Sequence, residues 1–394
     1  MVGIHNYERD FNRTLERISS SQEISKCNKE VIIRFKNHLL SEGIGLAKIN
    51  RYLVDTIKFN RLLGKPFEKA KKEDIRNVVS ALNQSPLSEE TRKCFKIMLR
   101  KLYRMLRGIE DKGIYPDEVK WISIRMGAKN NKLPEELISE DEAKAIIQSC
   151  NYIRDKALIA CLAESGARVS EIGLMQIKHI VIEPYGARIS ISGKTGSRKI
   201  LIVNSVPYLQ EWINSHPDSH NPEAFVWCDE RSNLITYNRI IAILKTAARK
   251  AGIQKRIHPH LLRHSKATQL ATFMSDSQLK NYLGWTQGSK MAGIYVHMSG
   301  KDTDEAIYRA NGIKIKEEKK EPSLKPISCK RCNSINPATH RFCNKCGFIL
   351  DNQTAQDTLK KESEHKSADN VLSIILQDRD VLNLIAQKIR EVKL

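Results

Sequence analysis

Apolar residues recur at three- and four-residue steps along the first third of the chain. Leu46, Ile49, Leu53 and Ile57 keep this step, with Leu62 and Leu63 beyond, and Lys48, Arg51, Lys58 and Arg61 lie between them. Phe95, Met98, Leu99, Leu102 and Leu106 repeat it among Lys93, Lys96, Arg100, Lys101, Arg104 and Arg107. A period near 3.6 predicts amphipathic helices with one apolar stripe and one basic face. Gly43 with Gly45, Gly64-Lys65-Pro66 and Ser85-Pro86 punctuate the run as turns. Residues 23–110 read as an all-helical domain, 1–22 as a helical or frayed leader, and 111–133 as a linker.

The pattern then changes. Ser139-Glu140-Asp141-Glu142 has the spacing of a capping box ahead of an apolar helix. Residues 154–165 predict a helix that stops at Gly166, and 170–176 predict another. Val181–Glu183, Arg188–Ser192 and Lys199–Val203 are short β-branched runs, the last two joined by a turn at Gly193-Lys194-Thr195-Gly196. From there to residue 312 the pattern is again mostly helical. The expected fold class is mainly α with a small β-sheet, residues 134–312 forming the second domain. Residues 313–327 read as a charged linker, 328–350 as a cysteine-rich module, 351–368 as a polar flexible linker and 369–394 as a closing helix. That helix has Val371, Ile375, Leu382, Ile385, Ile389 and Val392 on a seam interrupted by Asp378, the pattern of a short coiled coil or docking helix.

Composition narrows the partner. No run approaches the roughly 18 apolar residues of a membrane span, and MVGIHNYERDFNR lacks the apolar core of a signal peptide. A cytoplasmic protein is expected, in which nine cysteines are free thiols or metal ligands rather than disulfides. The formal charge is +21. Residues 1–133 carry 28 basic against 16 acidic side chains, 134–312 carry 22 against 18, and 313–394 carry 16 against 11. A polyanionic partner is expected, gripped mainly by the front domain.

Cys329-x2-Cys332, ten intervening residues and Cys343-x2-Cys346-Gly347 form two CxxC knuckles. Four thiolates at this spacing suit a tetrahedral structural Zn2+, as in a zinc ribbon. A rubredoxin-like iron site is the alternative metal. Lys330, Arg331, Arg341 and Lys345 around the knuckles leave contact with DNA, contact with an accessory protein and a spacer role all open. Cys27, Cys94, Cys150, Cys161 and Cys228 are scattered and read as core or surface thiols.

The middle domain strings together residue types that handle phosphate. Arg168 follows a glycine turn and precedes Glu171, Lys194 sits at the hairpin turn, and His260 and Arg263 are one helical turn apart. Trp285 follows Leu-Gly, and Tyr295 lies ten residues further on. Two arginines can clamp a phosphate through forked donors, a histidine and a lysine can move protons, and a tyrosine can form a covalent intermediate.

In order and spacing, Arg168, Lys194, His260, Arg263, Trp285 and Tyr295 resemble the signature of the tyrosine recombinases, the phage-integrase and Xer-type group. The resemblance covers residues 25–312, specific in the back domain and weaker in the helical front domain. Trp285 stands where His is commoner. The Trp–Tyr spacing and the string Tyr295-Val296-His297-Met298-Ser299-Gly300 with Asp302 are similar to archaeal members. The resemblance implies a site-specific DNA recombinase that acts as a tetramer on paired sites, its two domains forming a clamp around double-stranded DNA, without catalytic metal or ATP. It implies that Tyr295 attacks the scissile phosphate to give a 3′-phosphotyrosyl link. Arg168 and Arg263 would stabilise the charge, with His260 as base, Lys194 as proton donor to the 5′ oxygen and Trp285 as buttress. Glu171 would hold the architecture and His264 would support from behind. A type IB topoisomerase-like relaxing enzyme and a non-catalytic DNA-binding regulator share the fold and are the competing readings.

Overall fold

The computed structural model describes residues 3–111, 113–124, 136–299, 307–308, 310–312, 322–377 and 379–392. Residues 125–133 of the expected linker, residues 313–321, Gly300, Asp302 and Asp378 lie outside them. The fold is mainly helical with a small antiparallel sheet, and the chain divides into two compact units, Met1–Asn131 and Lys132–Leu394.

The first unit contains α1 (Tyr7–Ser20), α2 (Lys26–Ser41), α3 (Leu46–Leu63), α4 (Lys72–Gln84) and α5 (Glu89–Leu106). The apolar stripes seen in the sequence supply its core: Ile49, Leu53 and Ile57 of α3 and Phe95, Met98, Leu99 and Leu102 of α5 are buried. Ser25 and Ser88 cap α2 and α5 by accepting from backbone N–H groups three residues on. One buried polar pair ties the helices. Asn28 donates to Asn60 Oδ1 at 2.9 Å and accepts from the Phe67 N–H at 2.8 Å, while Asn60 donates to the Glu23 carbonyl at 3.0 Å. Each buried amide is thereby satisfied.

Two expectations are corrected here. Residues 1–22 are not a leader: Phe11, Thr14 and Ile18 of α1 are buried, and α1 packs on α3. Residues 113–122 are not a linker either. Val119 and Ile122 join the core, Trp121 donates to the Glu118 carbonyl at 2.8 Å, and the Arg100 guanidinium lies 3.5 Å from the Tyr115 ring centroid. Phe11, Leu15 and Ile18 keep a helical step but make only a short stripe, and residues 113–122 form no regular element for a period to mark.

The second unit is built on α7 (Ile153–Ser165), whose Ala157, Leu158, Ile159, Ala160, Cys161 and Leu162 are all buried. A helix apolar on every side is a central helix. Around it lie α6 (Glu140–Gln148), α9 (Val206–Asn214) and α11 (Pro259–Ala271). The short α8 (Val169–Gly173) follows α7, and α10 (Tyr237–Lys250) packs on α6. The capping box is present, Ser139 and Glu142 exchanging bonds at 3.1 and 2.8 Å. Strands β1 (Ile180–Glu183), β2 (Gly186–Gly193) and β3 (Gly196–Ile202) form one antiparallel sheet in sequence order. Helices α12 (Asp276–Leu283) and α13 (Met291–Ser299) pack against α11.

The cysteine module pairs β4 (Ile327–Ser328) with β5 (Ile335–Asn336) and rests on α9, where His340 Nε2 lies 3.2 Å from Glu211 Oε2. Beyond it, α14 (Asn352–Ile375) and α15 (Arg379–Val392) correct a third expectation, since 352–368 is helical rather than a flexible linker. Val371, Leu372, Ile374, Ile375, Leu382, Leu384, Ile385 and Ile389 on these helices are exposed. Among the described residues no helix is long and apolar enough to cross a membrane.

Because Ile18 is 1% exposed, Ile18→Ala should lower stability by about 2–4 kcal/mol. Urea unfolding followed by far-UV circular dichroism measures it. A loss below about 0.5 kcal/mol, the level of a surface substitution, would return α1 to a solvated leader.

Candidate active site

The site assembles at helix ends. Helix α7 stops at Gly166, which takes a left-handed conformation (φ 57°), and Ala167 and Arg168 lead directly into α8. Helix α12 stops at Gly284 (φ 64°), and the Trp285 N–H closes the turn onto the Lys280 carbonyl at 2.8 Å. A glycine accommodates this turn where a Cβ would be strained. The turn leaves two carbonyls for the arginines. Arg263 donates to the Leu283 carbonyl at 2.7 Å and to the Gly166 carbonyl at 2.8 Å, and Arg168 donates to the Gly284 carbonyl at 3.2 Å. The negative end of α12 therefore holds both guanidiniums.

Glu171 orders the rest. Its carboxylate accepts from Arg168 Nη1 and the Arg168 backbone N–H, both at 2.8 Å, and from both Nη atoms of Arg198 at 3.0 Å. Burial by itself would raise the Glu171 carboxyl, but the hydrogen bonds from Arg198 and from the Arg168 backbone outweigh it and hold the group below its usual range. Arg263 is almost fully buried, and its pKa falls to about 10, first from desolvation and then from the neighbouring Arg168 charge.

Tyr295, on α13, is 3% exposed. Its ring stacks on Trp285, with centroids 5.5 Å apart and planes 5° from parallel, and its hydroxyl meets His264 Nδ1. Burial pushes the phenol up to about 12, against the pull of Arg263. The Arg263 guanidinium lies 5.4 Å from the Trp285 ring centroid.

Arg168, Arg263, Trp285 and Tyr295 thus form one contiguous cluster. His260 lies at the exposed start of α11, one turn before Arg263, and its imidazole pKa is lowered by partial desolvation and then by the Arg263 and Arg168 charges. Lys194 is exposed in the two-residue loop between β2 and β3. Its neighbour Thr195 donates to the Gly284 carbonyl at 2.9 Å, the same oxygen that Arg168 reaches. Sequence reasoning underrated two residues. His264, read as support, contacts the phenol directly, and its position beside Arg263 on α11 was the available signal. Arg198 carried no signal, because its partner Glu171 is 27 residues away in sequence.

Cys329, Cys332, Cys343 and Cys346 come together, their sulfurs within 4.8 Å of one another. Cys329 and Cys346 lie 3.6 Å apart, as do Cys332 and Cys343. The Arg331 N–H donates to Cys329 Sγ at 3.4 Å and the Asn336 amide to Cys343 Sγ at 3.6 Å.

Glu171→Gln should cost about 3–5 kcal/mol, because it leaves buried arginines uncompensated. The Glu171 pKa is depressed in the folded protein, so its contribution is present above the ordinary value of 4.5 and is lost as pH falls through the depressed value. Denaturant titrations of wild type and variant should therefore converge towards low pH. A constant gap from pH 7 to 3 would contradict the ionised assignment.

Residues 136–301 match the phage integrase family. The chain is 26% identical to a tyrosine recombinase of Thermosipho africanus over 267 residues, covering 66% of this chain and 91% of that one. It is 28% identical to tyrosine recombinase XerA of Pyrococcus furiosus over 191 residues, 46% of this chain and 65% of that one. The fold is similar to XerH site-specific recombinase bound to a palindromic difH substrate (TM-score 0.55, 20% identity, 78% of this chain and 97% of that one). It is also similar to a lambda integrase dimer bound to a core site (TM-score 0.55, 16% identity, 69% and 78%). Residues 136–301 thus match the phage integrase family, and the chain is similar in sequence to tyrosine recombinases and shares their fold.

Proposed function

We propose that this protein is a site-specific DNA recombinase that cuts and rejoins duplex DNA through a 3′-phosphotyrosyl link on Tyr295. The observation that carries this reading is the cluster of two guanidiniums and one phenol around the α12 C-terminus. Arg168 and Arg263 keep their heads in place through backbone carbonyls and retain further N–H donors for the non-bridging phosphate oxygens. One preorganised donor of this kind supplies about 3–4 kcal/mol of transition-state stabilisation.

In the first step the Tyr295 oxygen bonds to phosphorus and the bond to the 5′ oxygen breaks. The phenol proton passes to His260, which is neutral at pH 7 because its pKa is lowered, and Lys194 protonates the departing 5′ oxygen. The bond energy is kept in the protein–DNA link, so the reverse attack by a 5′ hydroxyl reseals the strand without ATP. Tyr295 is buried against Trp285 and His264, so the phenol must leave the His264 contact before it can attack. Trp285 is the platform on which the ring turns and can donate through its indole N–H.

The basic faces of the first unit are suited to phosphate contact that positions DNA without reading it. Paired-site recombination calls for a homo-oligomer, a tetramer on two sites, for which the exposed seams of α14 and α15 are candidate contacts. The cysteine module would hold one structural Zn2+. A tetrahedron with Zn–S near 2.3 Å has S···S edges of about 3.8 Å, close to the 3.6 Å pairs here. Four cysteines would complete the shell, so the module acts by holding its own loop on α9.

A nicked duplex selected from a random pool by covalent capture on wild-type protein provides the cleavage substrate. Wild type should form a denaturation-resistant adduct and Tyr295→Phe none; an adduct on Tyr295→Phe would end the assignment. The wild-type rate should rise with pH through a value below 6.5 and level off by neutrality, as His260 loses its proton. His260→Asn should be slower by about 10²-fold or more and should lack that rise. Joining of two captured sites, rather than relaxation of a supercoiled plasmid alone, distinguishes recombination from topoisomerase action. Metal analysis should find about one zinc per chain, and chelation should speed hydrogen exchange in 327–350 while Tyr295 cleavage persists. Intact, folded protein free of zinc would refute the zinc assignment.

A further inference from the structure

Arg198 has no part in the reaction as described, yet each of its three guanidinium nitrogens is hydrogen-bonded. Its side chain is 10% exposed, and the Glu171 side chain that it meets is fully buried. Both Nη atoms fork onto the two oxygens of Glu171 at 3.0 Å, and Nε donates to the Tyr282 carbonyl at 2.8 Å. A forked guanidinium fixes direction as well as distance. The surroundings are tight. A Cβ on Gly284 would lie 2.4 Å from Arg198 Nη1, and one on Gly193 would lie 2.6 Å from Glu171 Oε1.

Those two glycines show what the fork joins. Gly193 ends β2 immediately before Lys194, and Gly284 precedes Trp285. Arg198 sits on β3, four residues beyond Lys194. One side chain thus ties β3, at the base of the Lys194 loop, to α8, which Arg168 caps, and to the last turn of α12, ahead of Trp285. Thr195 makes a second tie, its hydroxyl donating to the Gly284 carbonyl at 2.9 Å. Lys194 is itself exposed. A lysine on a free loop would search a wide volume, and misplacement of a catalytic group by about 1 Å costs on the order of 10²-fold in rate.

We propose that Arg198 is the positioning residue for Lys194, holding the β2–β3 loop in register with the phosphate-binding arginines through its fork on Glu171. This rests on the reading of Lys194 as the proton donor to the 5′ oxygen. As the P–O5′ bond breaks, the electron pair stays on oxygen and the ammonium proton neutralises it. If the bridging oxygen is replaced by sulfur, the thiolate leaves without a proton, and a residue that serves only the donor becomes dispensable.

The test measures single-turnover cleavage by the full chain on the captured nicked duplex, made with a 5′-bridging oxygen or a 5′-bridging sulfur. Lys194→Ala should lose about 10²–10⁴-fold on oxygen and come within a few-fold of wild type on sulfur. Arg198→Met should lose at least about 10-fold on oxygen and recover on sulfur in the same way, whereas Arg168→Ala should stay slow on both. Equal slowing of Arg198→Met on both substrates, or no slowing on oxygen, with Lys194→Ala still rescued, overturns the positioning role alone. Failure of sulfur to rescue Lys194→Ala overturns the proton-donor reading and the positioning role with it. If Arg198→Met does not fold, Thr195→Val decides, since its exposed side chain carries the second tie. A sulfur-rescued loss supports the proposal; an equal loss on both substrates, or none, overturns it.

Discussion

A carboxylate buried with zero side-chain exposure is costly unless every lone pair finds a donor, and Glu171 finds four donor groups. Removing such an ion from water costs several kcal/mol even after relaxation. Two guanidiniums and a backbone N–H offset that cost here, and in doing so they become immobile. Arg168 is fixed from one side and Arg198 from the other, so the first arginine of the site and the hairpin that presents Lys194 share a single reference point. The two carbonyls at the end of α12 then add Arg263 and the rest of Arg168. Neutralise Glu171, and the positions of three elements become independent of one another.

The charge balance of the cluster accounts for its chemistry as well as its rigidity. Arg168, Arg198 and Arg263 lie near one carboxylate, which leaves an excess of positive charge in a low-dielectric site. Desolvation first, and the neighbouring arginine charges second, lower the pKa of Arg263 and of His260, and those charges make the field into which a phosphate would move. Tyr295 stands in the opposite condition. Its burial pushes the phenol up to about 12, so the folded protein keeps the Tyr295 hydroxyl neutral, stacked on Trp285 and bonded to His264.

The cysteine module and the C-terminal helices show two ways of attaching a segment to such a unit. The module has a small apolar interior and docks on α9 through His340 and Glu211. Helices α14 and α15 keep several large apolar side chains exposed. Helix α14 is largely polar over its first two-thirds, with no stripe to bury, and it still forms a regular helix because its residues are mostly good helix formers and Asp351 caps its start.

Periodicity was enough for the helices with a continuous apolar stripe, α3 and α5; β-branched runs around a glycine turn marked the hairpin at Gly193–Gly196, and the Ser139–Glu142 spacing marked the capping box. Residue type and order alone were enough to show the resemblance to one family, to propose six residues for its chemistry and to single out four cysteines that the structure brings together. Where a segment without regular structure buries two residues against something distant, as Val119 and Ile122 do, a local pattern holds no trace of it. The same limit applies to the site. His264 against Tyr295 and Arg198 against Glu171 are pairs 31 and 27 residues apart, and nothing in either neighbourhood marks the partner. The sequence determined which side chains were available for phosphate chemistry, because type and spacing are local properties. The tertiary structure decided which of them share charge, how deeply the phenol is buried and which arginine bridges the hairpin to Glu171, because those depend on distances that only a packed chain sets.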